Sequence, residues 1–252
     1  MIKVQNISKK LGAKLVLDEV NFSLKKGGIT AIIGANGAGK STLLSLMARL
    51  LPLDCGQISF DDLDTGKTPS DVLAKKISIL TQSNYISARL TVLQLVMFGR
   101  FPHHKGRPQK ADHAHVAKIL ELMELDEIAD RFIDQLSGGQ QQRAYIAMIL
   151  SQDSDYILLD EPLNNLDMKH ARNIMQSLRK IADEMNKSII LVIHDINFAA
   201  AYSDLFIALK DGKIIVQGSV DEVMTEGNIE LIYDMQVDIK TIDGKKHAFY
   251  YT

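Results

Sequence analysis

The apolar run Ile29–Ile33 passes directly into Gly34-Ala35-Asn36-Gly37-Ala38-Gly39-Lys40-Ser41-Thr42, and a helix-compatible stretch, Ser41–Leu51, follows at once. Little else in the chain constrains the fold as tightly. A glycine-rich turn between a buried strand and a helix belongs to the strand–helix units of an α/β protein with a mostly parallel sheet. It also fixes a chemistry. The glycines let backbone N–H groups curl around phosphate oxygens, and the start of the helix adds partial positive charge. In such a P-loop Lys40 would pair with β- and γ-phosphates, and Ser41 would ligate Mg²⁺. The turn predicts nucleotide binding, but many unrelated nucleotide enzymes share it.

Further strands are predicted at Ile2–Val4, Leu15–Phe22, Ile77–Leu80, Tyr156–Leu159, Ile189–Ile193, Leu205–Leu209 and Lys213–Val216. Several are unbroken apolar runs, as expected for strands buried on both faces of a parallel sheet. The stretch Met168–Met185 places Ile174, Leu178, Ile181 and Met185 on one helical face, suited to covering such a sheet. Between Gln82 and Gln152 the strand pattern gives way to helical runs at Leu90–Phe98, Ala111–Met123 and Gln140–Leu150. Residues 84–152 are therefore read as a helical subdomain inserted within a single domain spanning 1–252, with Phe101–Pro108 as an exposed loop. Asp243-Gly244 predicts a hairpin turn between Val237–Ile242 and His247–Tyr251, covering an edge of the core.

Composition narrows the function classes. The 252 residues carry 29 basic and 31 acidic side chains, a net charge of −2, which gives no electrostatic reason to bind nucleic acid or anionic lipid. One cysteine, Cys55, excludes an internal disulfide and fits a reducing, cytosolic compartment; it is read as a small buried or loop residue. The opening Met1-Ile-Lys-Val-Gln-Asn lacks a signal-peptide layout. No apolar run reaches the ~18 residues of a membrane span.

Tyr156-Ile-Leu-Leu-Asp160-Glu161-Pro162 delivers two carboxylates at a strand end, where ligands gather in open α/β sheets. Neighbouring strand residues point to opposite sides, so the two carboxylates have different tasks. Asp160 suits a Mg²⁺ shell, and Glu161 can polarise an attacking water. Alone, such a pair is ordinary turn polarity; the upstream P-loop gives it a role. His194 follows another apolar strand. A lone histidine there is more often a hydrogen-bonded core residue, but its place at the same sheet end as Asp160 makes it a candidate γ-phosphate contact. Gln82, after Ile77–Leu80, could ligate metal or water. Leu136-Ser137-Gly138-Gly139-Gln140 combines an N-cap serine with two glycines ahead of an apolar helix, a second anion site in the same chain. It lies in the helical insertion, away from the chain's own P-loop, so a two-fold dimer would let it close over the partner's nucleotide.

Taken in order, these segments resemble an ABC-transporter ATPase subunit over essentially the whole length. The resemblance makes Gln82 the Q-loop glutamine, Leu136–Gln140 the signature, and Tyr156–Asp160 the Walker B strand. It makes Glu161 the catalytic base, Leu163-Asn-Asn-Leu-Asp167 the D-loop, and His194 the switch histidine. It implies a P-loop NTPase fold with an N-terminal antiparallel β part and a helical subdomain. It further implies ATP and Mg²⁺, the ion held by Ser41, Gln82 and Asp160, and a homodimer in which Ser137, Gly138, Gly139 and Gln140 cap the other subunit's γ-phosphate. Such a subunit sits peripherally on the cytoplasmic face of the cell (inner) membrane. There it drives integral permease subunits served indirectly by a substrate-binding protein, with no nucleic-acid partner.

The segment Leu90-Thr-Val-Leu-Gln-Leu-Val-Met-Phe-Gly99-Arg100-Phe101-Pro102-His103 is similar to the permease-facing part of ATPases serving ferric-siderophore and vitamin B12 importers. Leu163-Asn-Asn-Leu-Asp-Met-Lys-His170 leans toward catecholate-siderophore systems. The alternatives are another cargo, such as vitamin B12 or haem, and a non-transport ABC ATPase. The last would normally carry a coiled-coil insertion or a second ATPase unit, and neither is visible. A simple P-loop kinase would have no use for Leu136–Gln140. His103, His104, His113 and His115 read as a solvated surface rather than an iron site. One departure stands out: the family stacks adenine on an aromatic residue, and the aligned position here is Leu11.

Overall fold

The computed structural model describes residues 1–82, 88–164 and 166–250, and the chain divides into two compact units, Met1–Thr68 with Ser188–Thr252, and Pro69–Lys187. Residues 84–87 at the start of the expected insertion, Asn165 of the D-loop stretch and Tyr251 lie outside the described residues.

The first unit opens with β1 (Ile2–Leu11) and β2 (Lys14–Leu24), an antiparallel pair joined at Gly12, which adopts a left-handed φ of 60°. Ile2, Val4 and Ile7 of β1 and Val20, Phe22 and Leu24 of β2 are buried, and charged or polar residues fall between them. This period-two pattern buries one face of a sheet. Next come β3 (Gly28–Ile33), α1 (Lys40–Met47), β4 (Cys55–Phe60) and the short β5 (Leu63–Asp64). The antiparallel sheet runs β2-β1-β4-β5, with Ile58 and Phe60 opposite Val4 and Ile2. Sequence reading missed β4, whose polar start Cys55-Gly-Gln obscures the alternation. Cys55 is accordingly a strand residue, and it is exposed rather than buried.

In the second unit α2 (Ser70–Lys76) leads into β6 (Ile77–Leu80). Helices α3 (Val92–Gly99), α4 (Phe101–His104), α5 (Lys110–Leu122) and α6 (Gly138–Ser151) come next. Strand β7 (Tyr156–Asp160) lies parallel to β6, and α7 (Met168–Glu184) closes the unit. Phe101–Pro108 is not wholly a loop: Pro102 tolerates the first turn of a helix, and α4 forms before the chain turns at Lys105 and Gly106. Helices α3 and α6 cross closely at Gly99, where a Cβ would lie 2.0 Å from the Met148 carbonyl oxygen. In α7 the buried face is Ala171, Ile174, Met175, Leu178, Ile181 and Ala182. Each large member contributes roughly 1.5–3 kcal/mol by burial. Met185 falls off this face: it is the C-cap and is 43% exposed.

The chain then returns to the first unit with β8 (Ser188–Val192), α8 (Ile196–Tyr202), β9 (Leu205–Lys210), β10 (Lys213–Ser219), α9 (Val220–Val223) and α10 (Glu226–Tyr233). There the strand order is β10-β9-β3-β8. Strand β3 pairs parallel to both β8 and β9, and only antiparallel β10 lies at its outer side. Being flanked on both sides fits the unbroken apolar sequence of β3. The hairpin β11 (Asp238–Ile242) and β12 (Lys245–Phe249) turns at Asp243 and Gly244, both with positive φ. It packs on α8: the Asn197 side-chain amide donates to the Ala248 carbonyl at 3.1 Å and accepts from its N–H at 2.8 Å.

Candidate functional site

In the first unit the end of β3 is bent into a cradle. Gly34, Gly37 and Gly39 have φ of 141°, 81° and 102°, a region that residues with a Cβ avoid. Two of them also accept close backbone approach. A Cβ at Gly34 would fall 2.1 Å from the Leu209 carbonyl oxygen, and one at Gly39 would fall 2.7 Å from Leu17 Cδ2 and 2.9 Å from the Val16 carbonyl oxygen. Gly39 is the N-cap of α1 and supplies no side-chain cap, the arrangement of a helix start that can take an anion. Ala35, Asn36 and Gly37 are exposed, whereas Ala38, Gly39 and Lys40 are buried. Lys40 Nζ donates to the carbonyls of Gly34 at 2.8 Å and Ala35 at 3.0 Å, which holds the ammonium inside the turn. Ser41 and Thr42, at the start of α1, are half-buried.

The turn has a support that the sequence does not reveal. The Gly34 N–H donates to the hydroxyl of Tyr233, at the end of α10, at 3.3 Å. Burial raises the Tyr233 phenol to about 12, so it stays neutral at physiological pH. Ile32 of β3 pairs with Val192 of β8, and Gly34 and His194 each lie two residues beyond that pair. His194 therefore leaves the strand end next to the cradle, and it is exposed. At the next residue, the Asp195 carboxylate caps α8 by accepting from the N–H groups of Asn197 and Phe198.

In the second unit Asp160 ends β7 and is 6% exposed. Glu161 turns out of the strand with a left-handed φ of 51°, a costly conformation for a residue with a Cβ. This turn, rather than strand alternation alone, separates the two carboxylates. Gln82 Nε2 donates to Glu161 Oε2 at 2.7 Å, and Asn164 Nδ2 donates to the same oxygen. The structure thus brings Gln82 and Glu161 together and adds Asn164. Only its place three residues after Glu161 could have marked Asn164 in advance.

Ser137 is the N-cap of α6, which begins at Gly138 rather than Gln140. Its hydroxyl accepts from the Gln140 N–H at 3.4 Å, and the Gln140 side chain accepts from the Ser137 N–H at 3.1 Å. This reciprocal box leaves the N–H groups of Gly138 and Gly139 outside its bonding, and Ser137 and Gly138 are exposed. Asp167 caps α7 in the same manner, accepting from the His170 N–H at 2.8 Å.

Among the described residues no group of three or more His, Cys, Asp or Glu is placed to hold a metal ion.

Residues 17–164 match the family model described as ABC transporter. The chain is 51% identical, over the full length of both, to the petrobactin import ATP-binding protein YclP of Bacillus subtilis (strain 168). It is 46% identical to the petrobactin import ATP-binding protein FatE of Bacillus anthracis, covering 95% of this chain and 96% of that one. Among solved structures it resembles the dimeric post-hydrolysis state of the ATP-binding cassette MJ0796 bound to ADP and Pi. The TM-score is 0.78 at 34% identity, with 87% of this chain and 99% of that one covered. With its P-loop and α/β architecture, the chain belongs to the ABC transporter family as an ATP-binding cassette.

Proposed function

We propose that this chain is the ATP-hydrolysing subunit that powers import of an iron–siderophore complex through separate membrane permease subunits, acting as a pair of identical cassettes. The observation that carries the two-copy reading is the exposed, Ser137-capped start of α6. A chain that already owns the Gly34–Thr42 cradle has a second anion-holding turn, and a second copy's nucleotide gives that turn a use. The cassette MJ0796, described as a dimer, supports the same reading.

In this reading Gly34 to Thr42 hold the phosphates, and Lys40 neutralises charge on the β- and γ-groups. When bound, Mg²⁺ stabilises charge on the phosphate oxygens. The Ser41 hydroxyl and the Asp160 carboxylate would hold it, with the Gln82 amide oxygen a third candidate. Glu161 is the general base that orients water, and Gln82 and Asn164 set its carboxylate. His194 contacts the γ-phosphate, and Asp167 marks the D-loop.

The 51% identity to YclP along its whole length supports siderophore import. The permease-facing surface is assigned to α3 and α4. There Phe98 and Phe101 are 62% and 50% exposed and their rings lie 6.1 Å apart, an apolar spot with the His104 ring edge-on to Phe101. No described helix is long and apolar enough to cross a membrane. Peripheral attachment at the cytoplasmic face therefore depends on the permease. Residues 84–152 are proposed as the helical subdomain that carries this surface.

The test is uptake of radiolabelled iron–siderophore by cells with the chromosomal gene deleted and either the wild-type or the Glu161→Gln chain restored. Restoration by the wild type alone is expected. Normal siderophore uptake in the deleted cells, together with lost vitamin B12 uptake, would reassign the cargo. Gel filtration with ATP tests the pairing: Glu161→Gln should accumulate a nucleotide-bound dimer, and persistent monomer at saturating ATP overturns the sandwich.

A further inference from the structure

One side chain of the second unit touches both the D-loop and the signature turn. His170, in the first turn of α7, brings Nδ1 to both oxygens of the Asp167 carboxylate at 2.8 Å. A carboxylate only accepts, so this contact places the proton on Nδ1. The Asp167 carboxyl is held below the usual carboxylate range, first by the His170 backbone N–H and then by its ring. The ring also packs against the signature turn. A Cβ at Gly139 would lie 3.3 Å from His170 Cγ, 3.5 Å from Cδ2 and 3.6 Å from Nδ1. A second tie runs beside it: Gln142 Nε2 of α6 donates to the Pro162 carbonyl, next to Glu161, at 3.0 Å.

Capping α7 does not need a histidine. Asp167 accepts from the backbone N–H of position 170, which any residue but proline would supply. What the imidazole adds is a bracket from the Asp167 carboxylate to the backbone of Gly139. The ring thus stands beside the second signature glycine within its own chain, at the place a Cβ would occupy.

We propose that His170 is a positioning residue for hydrolysis: it holds the Gly138–Gly139 amides in register with Asp167 and the strand end that carries Glu161. The proposal rests on the two-copy reading above, in which the signature turn of one chain serves the nucleotide of the other. A bracket of this kind acts on turnover rather than on ground-state binding, because amides misplaced by about 1 Å can cost up to 100-fold in rate.

The test is steady-state ATPase activity of the full chain with its permease, combined with thermal melting. His170→Ala is expected to lower kcat about tenfold with KM for ATP within about twofold, the signature of an interaction made in the transition state. His170→Asn, whose side-chain amide can donate to Asp167 from nearly the place of Nδ1, should recover most of that loss. Melting temperatures of both variants should stay within a few degrees of wild type, since the cap bond to the backbone survives. In a double-mutant cycle, Gly139→Ala should cost less in the His170→Ala background than in wild type, because the ring that its methyl meets is gone.

Unchanged kcat in His170→Ala, a loss that His170→Asn does not relieve, or strictly independent losses in the cycle would each overturn the role of His170. Ser137→Arg separates this from the parent reading. If that variant hydrolyses ATP normally, the two-copy reading fails. If it is inactive while His170→Ala is normal, only the bracket fails.

Discussion

The turns at Gly34–Thr42 and at Glu161–Asn164 both begin where a strand of a parallel sheet ends, yet they are held by opposite means. The first is fixed by backbone. Its glycines take φ values that side chains avoid, and carbonyls of Leu209 and Val16 crowd the space where Cβ atoms would lie. The second takes a left-handed φ at a glutamate and is held by side chains, with Gln82 and Asn164 donating to one carboxylate oxygen. A backbone cradle cannot be rearranged without unfolding its neighbours, so it suits a ligand that must always be gripped the same way. A carboxylate held by two amides can be re-aimed by exchanging hydrogen bonds, each worth about 1 kcal/mol net. That suits a group that must act only at one moment of a cycle.

The contrast breaks most visibly at Glu161. Glu161→Gln keeps the size of the side chain and an oxygen that can accept from Gln82, but removes the carboxylate proposed as the base. ATP hydrolysis should fall by roughly 10²–10⁴, while nucleotide affinity, measured by equilibrium titration, stays within a few-fold of wild type. A loss below tenfold would remove Glu161 from the chemistry and leave the second turn a structural one.

The cradle should fail in stability instead. Gly34→Ala places a methyl 2.1 Å from a backbone oxygen at a φ of 141°, whereas Gly37→Ala meets nothing within 4 Å and carries only the strain of a φ of 81°. Urea unfolding should show a loss of about 3 kcal/mol or more for the first and about 1 kcal/mol for the second. Equal losses would mean that conformation alone, and not close packing on Leu209, shapes the turn. Asn164→Ala then probes the side-chain turn more gently. Removing one of two donors should lower kcat about fivefold, the equivalent of roughly 1 kcal/mol, with KM unchanged. A changed KM with constant kcat would put Asn164 in nucleotide binding.

The same contrast explains what could be read from the residues. Apolar β-branched runs such as Ile29–Ile33 and Ile189–Ile193 announce buried parallel strands because no polar residue interrupts them. The P-loop spacing announces a turn because few other residues tolerate its φ values. Strand β4 is hidden because half of it is polar, and the sequence of Phe101–His104 reads as loop because proline at the start of a helix looks like proline that breaks one. Tyr233 and Gly34 are 199 residues apart, and no local pattern marks their contact. The grip on Glu161 was half legible: Gln82 stood out at a strand end, while Asn164 is an ordinary turn residue until its carboxylate partner is seen. His170 drew notice only as part of a resemblance, since its two contacts, with Asp167 and Gly139, need the fold to bring α6 and α7 together.

The smallest effect expected concerns the base of the nucleotide rather than its phosphates. Leu11, at the end of β1, is 46% exposed and offers apolar surface without a π-face. Stacking on an aromatic side chain is worth roughly 1–3 kcal/mol in nucleic-acid recognition, and if the base sits against Leu11, as the family alignment proposes, leucine gives up most of that term. The phosphate cradle is blind to the base, so affinity that resides in the cradle cannot distinguish ATP from GTP. Competition titrations should therefore place the two nucleotides within about tenfold of each other. Leu11→Tyr should tighten both several-fold, in line with the lower end of the stacking range, without altering kcat. A preference for ATP of 100-fold or more in the unaltered chain would show that another side chain reads the base, and would move recognition away from β1 altogether.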